Sequence, residues 1–209
     1  MNLKRNTQIM TTNKYNIIAD IAGRFDELQE LLKLMPPCEK IILVGDLMDR
    51  GPKSKEVIEW AMLTENVITL LGNHEMMMVE AAEGNTVDHL YNGGHATLSS
   101  YGASYPWDYP EAHINWMRKL PLCFKDDGLF VSHAPWLGKL EDDGKTGKQF
   151  LVWNRIPPHK VDGIFQVHGH NSRLEKYGKW GICIDACRDK VLTGITFPSK
   201  EIFQVPYKD

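Results

Sequence analysis

A chain of 209 residues with 43% apolar and 24% charged residues is long enough for one sizeable core and short for two ordinary domains. Its net charge of −3 argues against a nucleic-acid binder that works by general electrostatics, and no apolar run reaches the length of a membrane span. The opening MNLKRNTQIMTTNKY has no apolar centre and does not read as a secretory signal. Cys38, Cys123, Cys183 and Cys187 are scattered, so reduced thiols and a cytoplasmic location are expected. Cys183 and Cys187 as metal ligands would be the alternative, but they lack a CxxC spacing and a second pair.

Residues 1–14 read as a flexible extension and 15–209 as a single domain. YNIIA (15–19) predicts a strand. Phe25, Leu28, Leu31, Leu32 and Met35 then recur at helical spacing until Pro36-Pro37 ends the pattern. KIILV (40–44) predicts a second strand, Val57, Ile58, Ala61 and Met62 a second helix, and VITLL (67–71) a third strand before a Met-rich helix. Such alternation predicts parallel strands covered by helices. Residues 84–127 read as helical pieces and loops over one edge. From 128 onward GLFVSH, GIFQVHGH, WGICID, VLTGIT and EIFQVP predict short strands that form a second packed sheet. The polar, glycine-rich 138–148 predicts a surface loop. The expected class is one α/β domain.

Chemistry-bearing residues sit just past the predicted strand ends, where open α/β sheets leave a crevice. The first strand is followed by Asp20 and Gly23, the second by GDLMDRGP with Asp46, Asp49 and Arg50, and the third by GNHE with Asn73 and His74. Two later strands end in SHA (His133) and HGH (His168, His170). Taken singly, each has a plainer reading: a turn for GD, a helix start capped by Asn73 with Glu75 in its first turn, an interior histidine for His133 or His168, core packing for Met76–Met78. Five strand ends each delivering a carboxylate, amide or imidazole make a divalent metal centre the economical explanation. A carboxylate at the end of an apolar strand is costly to bury without a cation. The mixed oxygen and nitrogen donors suit Mn, Fe, Zn or Mg.

On DIAG (20–23), GDLMDRGP (45–52), GNHEMMM (72–78), NGG (92–94), SHA (132–134), WNR (153–155) and GHN (169–171), the chain resembles the calcineurin-like metallophosphoesterases. Within them it is most similar to the phosphoprotein phosphatase branch of the bacteriophage lambda type. The resemblance implies a β-sandwich flanked by helices holding two divalent ions, manganese foremost. Asp46 would bridge the ions, Asp20 would belong to the first, and Asn73, His133 and His170 to the second. It further implies attack by a metal-activated hydroxide, His74 as the general acid oriented by Asp49, and Arg50 and Arg155 on the phosphate. The expected substrate is a Ser/Thr, or also Tyr, phosphoprotein or a small phosphoester. The alternatives are a nucleotide hydrolase acting on dinucleoside polyphosphates or cyclic phosphodiesters, and a degenerate phosphate-binding protein.

One position departs from the family pattern Asp-x-His-Gly: the third residue is Ala22. Three readings stand. The first site holds its ion weakly through Asp20 and Asp46; a histidine has been exchanged for alanine so as to disable an enzyme; or an imidazole arrives from elsewhere. His168, two residues from His170 and on the same side by strand alternation, is the nearest donor, with His95 a weaker one.

Overall fold

The computed structural model describes residues 13–138 and 146–208. Strand β1 (Asn13–Ala19), helix α1 (Phe25–Leu34), β2 (Cys38–Leu43), α2 (Ser54–Leu63), β3 (Val67–Thr69) and α3 (Asn73–Ala82) form the alternating first third. β1, β2 and β3 pair in parallel, as the pattern predicts. Of the expected extension 1–14, residues 1–12 lie outside the described chain. Asn13 and Lys14 already belong to β1, because Asn13 pairs with Cys38 and Lys14 joins Tyr15 in binding the Asp126 carboxylate. Then come α4 (Val87–His89), α5 (His95–Tyr101) and α6 (Glu111–Met117), followed by β4 (Cys123–Asp126) and β5 (Leu129–Ser132). Of the expected loop 138–148, residues 139–145 lie outside the description and 146–148 open α7 (Thr146–Trp153). The chain closes with β6 (Phe165–His168), β7 (Glu175–Lys176), β8 (Gly181–Cys183), β9 (Val191–Phe197) and β10 (Ile202–Pro206).

Two five-stranded sheets result, in the orders β10-β9-β1-β2-β3 and β4-β5-β6-β8-β7. The β-rich second half therefore does not form the second sheet alone. β9 runs antiparallel beside β1, pairing Ile17 with Ile195, and carries β10 with it.

The period-two alternation of the strands explains the layering. Ile17, Ala19, Ile42 and Val44 face Leu129, Val131, Phe165, Val167 and Ile182 of the other sheet. Their neighbours Ile18, Ile41 and Leu43 turn to the opposite side and pack under Leu28, Leu31, Val57, Ile58 and Met78 of the helices. The outer face of the second sheet is covered where Phe130 stacks on Trp136 beside Leu151 of α7. The product is a β-sandwich flanked by helices. The parallel strands β1, β2, β3, β5, β6 and β8 deliver the loops that follow them to one rim. Among the described residues no helix is long and apolar enough to cross a membrane.

Candidate active site

The rim loops are tightly wound. Asp20, Ala22, Asp46, Asp49, Arg50 and His170 all adopt positive φ, between 49° and 72°. Six non-glycine residues in that sparsely populated region mark a place where side-chain direction overrides backbone comfort. Glycine is required beside them. A Cβ at Gly72 would collide with Oδ1 of Asp46, and one at Gly169 with Oδ2 of Asp20.

Asp46, Asn73, His133 and His170 meet at one point. Nδ1 of His133 lies 2.9 Å from the carbonyl oxygen of Val44, to which it donates. In the neutral ring, Nε2 is then the nitrogen left with a lone pair. That nitrogen is 2.9 Å from Oδ1 of Asn73, 3.3 Å from Oδ1 of Asp46 and 3.2 Å from Nδ1 of His170. His170 is held neutral, its pKa lowered to about 3 by burial and then by the neighbouring His133. All four side chains are buried. Two imidazole nitrogens, an amide oxygen and a carboxylate oxygen that converge on one point are a donor set that fits a divalent cation. The ligand atoms of Asp46, His133 and His170 lie within 4.8 Å of one another.

Asp20 stands beside this cluster, accepting the His170 N–H at 3.2 and 3.3 Å. Burial and the charges of Asp185 and Asp46 raise its pKa well above the ordinary carboxylate value.

His74, at the start of α3, has Nδ1 2.5 Å from Oδ2 of Asp49, and its Nε2 is 3.1 Å from Nη2 of Arg50. Burial opposes protonation of this ring. The charge of Asp46 and then the hydrogen bond to Asp49 outweigh it, so the pKa is raised. Asp49 is itself enclosed: its N–H donates to the hydroxyls of Ser54 and Thr97 at 3.1 Å, Thr97 donates to Oδ1, and His89 approaches Oδ2 at 3.5 Å. Arg50 and Arg155 reach the same small cleft, where Nη1 of Arg155 also bonds the His170 carbonyl at 3.0 Å.

Other residues belong here and were not singled out. Glu75 is fully buried, and its carboxylate accepts the N–H groups of Asp46 (3.0 Å), Leu47 (2.8 Å) and Gly72 (2.8 Å). It ties the loop after β2 to the loop after β3. Burial and the charge of Asp46 raise its pKa to about 7. Asn92, Trp153, Ser172 and Asp185 line the cleft. Asn92 belongs to the NGG motif and Trp153 to WNR, so two of the four were within reach of motif reading. His168 is placed elsewhere. It is buried, its Nδ1 is 2.9 Å from the Gly169 carbonyl, and its ring stacks on Tyr177 at 5.6 Å. β6 ends at His168 and His170 has φ 68°, so strand alternation no longer puts the two on one side. His95 is exposed at the start of α5. All four cysteines are free.

With sandwich and cleft described, the family is plain: the chain belongs to the calcineurin-like phosphoesterases, whose family model matches residues 14–188. It is 35% identical over 123 residues to the symmetrical bis(5'-nucleosyl)-tetraphosphatase of Methylobacillus flagellatus, a match covering 56% of this chain and 41% of that one. To the enzyme of the same name from Nitrosococcus oceani it is 37% identical over 123 residues, covering 56% and 42%. The chain thus matches little more than two fifths of the length of these relatives. Among solved structures, a candidate diadenosine tetraphosphatase superposes with a TM-score of 0.69 at 20% identity, covering 96% of both chains. A serine/threonine phosphatase from Saccharomyces cerevisiae does so at 0.62 and 12% identity, covering 95% and 82%. These two are likenesses of fold.

Proposed function

We propose that this phosphoesterase is a metal-dependent nucleotide hydrolase whose substrate is a dinucleoside polyphosphate, cleaved between phosphates. The observation that carries the metal-dependent part is the convergence of the His133, Asn73, Asp46 and His170 side chains on one point. The substrate class follows the two curated relatives named above, both symmetrical bis(5'-nucleosyl)-tetraphosphatases. It therefore replaces the phosphoprotein expectation with the nucleotide alternative.

In this reading Asp46, Asn73, His133 and His170 hold one divalent ion, with Asp20 and Asp46 toward another. Such ions, when bound, acidify water and offset the negative charge of the phosphates. The guanidinium groups of Arg50 and Arg155 line the same cleft and would grip the phosphoryl oxygens, matching their geometry better than an ammonium does. His74 presents Nε2 to the cleft while Asp49 holds its Nδ1–H, the arrangement of a proton donor to the leaving oxygen. Arg50 lies against the same Nε2, so one leaving phosphate oxygen could meet both groups. Trp153, 42% exposed and edge-on to His170 at 6.1 Å, offers an apolar face at the mouth for a nucleobase.

The test is turnover of diadenosine tetraphosphate, a cyclic nucleotide and a phosphoserine peptide side by side with added Mn²⁺. The proposal expects the tetraphosphate to be preferred and cleaved with one water into two nucleoside diphosphates. Preference for the phosphopeptide would reject the substrate class and leave the metal chemistry standing.

A further inference from the structure

Asp49 holds the His74 ring, and a further imidazole holds Asp49. Helix α4 ends at His89, the chain runs on through a π-helical turn, Leu90–Gly94, and α5 begins at His95. This segment closes over Asp49. His89 and Thr97 are both 0% exposed. The Thr97 hydroxyl donates to Oδ1 of Asp49, and Nδ1 of His89 stands 3.5 Å from Oδ2, the oxygen that meets His74 at 2.5 Å. One carboxylate oxygen thus faces two imidazoles: His74, which lines the cleft, and His89, which is sealed from solvent.

The His89 ring is also fixed on its other side. Its Nε2 is 3.0 Å from the Tyr109 hydroxyl, and the two rings meet edge-on at 5.9 Å. A Cβ on Gly94 would meet Cδ2 and Nε2 of His89 at 2.7 Å, so the second glycine of NGG admits the ring. Among the described residues Nδ1 of His89 has no hydrogen-bond partner of ordinary length, which is uncommon for a buried polar atom. The neutral ring carries one N–H. On Nε2, that proton would leave the Nδ1 lone pair facing the Asp49 carboxylate, an unfavourable pairing in a buried site. On Nδ1, it points at Oδ2 while the Tyr109 hydroxyl donates to Nε2. Both nitrogens then face a partner of the right kind.

Proton transfer gives this contact a task. While His74 is an imidazolium, its charge offsets that of Asp49. Once Nε2 of His74 has passed its proton to the leaving oxygen, Asp49 remains a buried carboxylate beside a neutral ring. That is costly unless other donors surround it. We propose that His89 is a positioning residue for the His74–Asp49 pair: its Nδ1–H holds Oδ2 of Asp49 toward His74 and sustains the carboxylate's charge as the proton leaves. The inference rests on the reading of His74 as the proton donor. His89 acts only through Asp49, and Tyr109 one step further out, by keeping the His89 proton on Nδ1.

The experiment measures turnover of phenyl phosphate and p-nitrophenyl phosphate with Mn²⁺ by the full chain, His89→Gln, His74→Asn and the double variant. Glutamine places its amide near the former Nε2, toward Tyr109, and leaves nothing at Nδ1. His89→Gln is expected to lower kcat on phenyl phosphate about tenfold, a part of the roughly 10²–10⁴-fold that acid catalysis supplies. On p-nitrophenyl phosphate the loss should stay below about twofold, because nitrophenolate leaves without a proton. In the His74→Asn background the same change should add nothing, since the two residues act as one unit. Equal losses on both esters, no loss on either, or a full further loss in the double variant would overturn the proposal. If His74→Asn itself slows both esters equally, the proton-donor reading fails instead, a distinct result. Should His89→Gln not fold, or neither ester be turned over, nitrogen NMR of the unaltered chain with Mg²⁺ decides. A proton on Nδ1 of His89 supports the assignment; a proton confined to Nε2 refutes it.

Discussion

His133 donates through Nδ1 to the carbonyl of Val44 at 2.9 Å, and this one contact determines which side of the imidazole can bind a ligand. Val44 immediately follows β2 and His133 follows β5, so the bond also joins the two sheets at the rim. Its consequence is that Nε2 is the nitrogen facing Asn73, Asp46 and His170.

Replacing that imidazole should abolish tight binding at the second metal site. His133→Ala is expected to lower affinity for one equivalent of Zn²⁺ by at least about a hundredfold, since loss of even an outer-shell partner typically costs ten- to a hundredfold. Isothermal titration measures it. Unchanged affinity would remove His133 from the site.

Glu75 should matter through the backbone it holds. Glu75→Ala strips acceptors from three buried N–H groups, each worth about 1–3 kcal/mol when left unpaired, so a loss of about 3 kcal/mol or more is expected in chemical denaturation. Glu75→Gln should be intermediate, because its amide keeps one acceptor oxygen but turns a donor toward donors.

The same residue predicts a pH effect in the metal-free chain. Its folded pKa of about 7 lies above the ordinary glutamate value, so the folded state binds a proton that the unfolded state has lost between those values. Stability should therefore fall as pH rises from about 4.5 to 7, in the ordinary-to-shifted window. Glu75→Gln should flatten that slope. A steeper slope in the variant would contradict the assignment.

His74 should be needed in proportion to how poor the leaving group is. His74→Asn is expected to slow cleavage of a phosphoanhydride or alkyl phosphate by about 10²–10⁴-fold, and that of p-nitrophenyl phosphate far less, because nitrophenolate leaves without a proton. Equal losses on both would argue against proton donation.

Asp49→Asn removes a hydrogen bond and a charge that hold the His74 pKa above its ordinary value. With the protonated ring as the proposed proton donor, activity is expected to decline as pH rises through that pKa. The variant should show this decline at lower pH. A profile that keeps its position on a reduced rate would restrict Asp49 to packing.

Periodicity made the first third of the fold readable. β1, β2 and the helices between them carry alternations of two and of three to four residues that follow from burial on defined faces. Long-range pairing left no such trace. Nothing local in VLTGIT says that it returns to β1, and β4 and β7 are too short to show a pattern. The candidate site divides in the same way. Strand ends drew attention to Asp20, Asp46, Asn73, His133 and His170. Glu75 was read as an acid in a helix's first turn, because its three partners are backbone groups from two separate loops. Asp185 lies two residues past β8 and lines the cleft with Asp20, 165 residues away, a closeness that nothing local in the sequence shows.

The most direct test of the central claim is X-ray absorption at the zinc edge with one equivalent of Zn²⁺ on the full chain. The account predicts two imidazole ligands and oxygen neighbours at about 2.0–2.2 Å, with the imidazole signal reduced in His133→Ala and in His170→Ala. A spectrum of oxygen neighbours alone, the same in both variants, would contradict it.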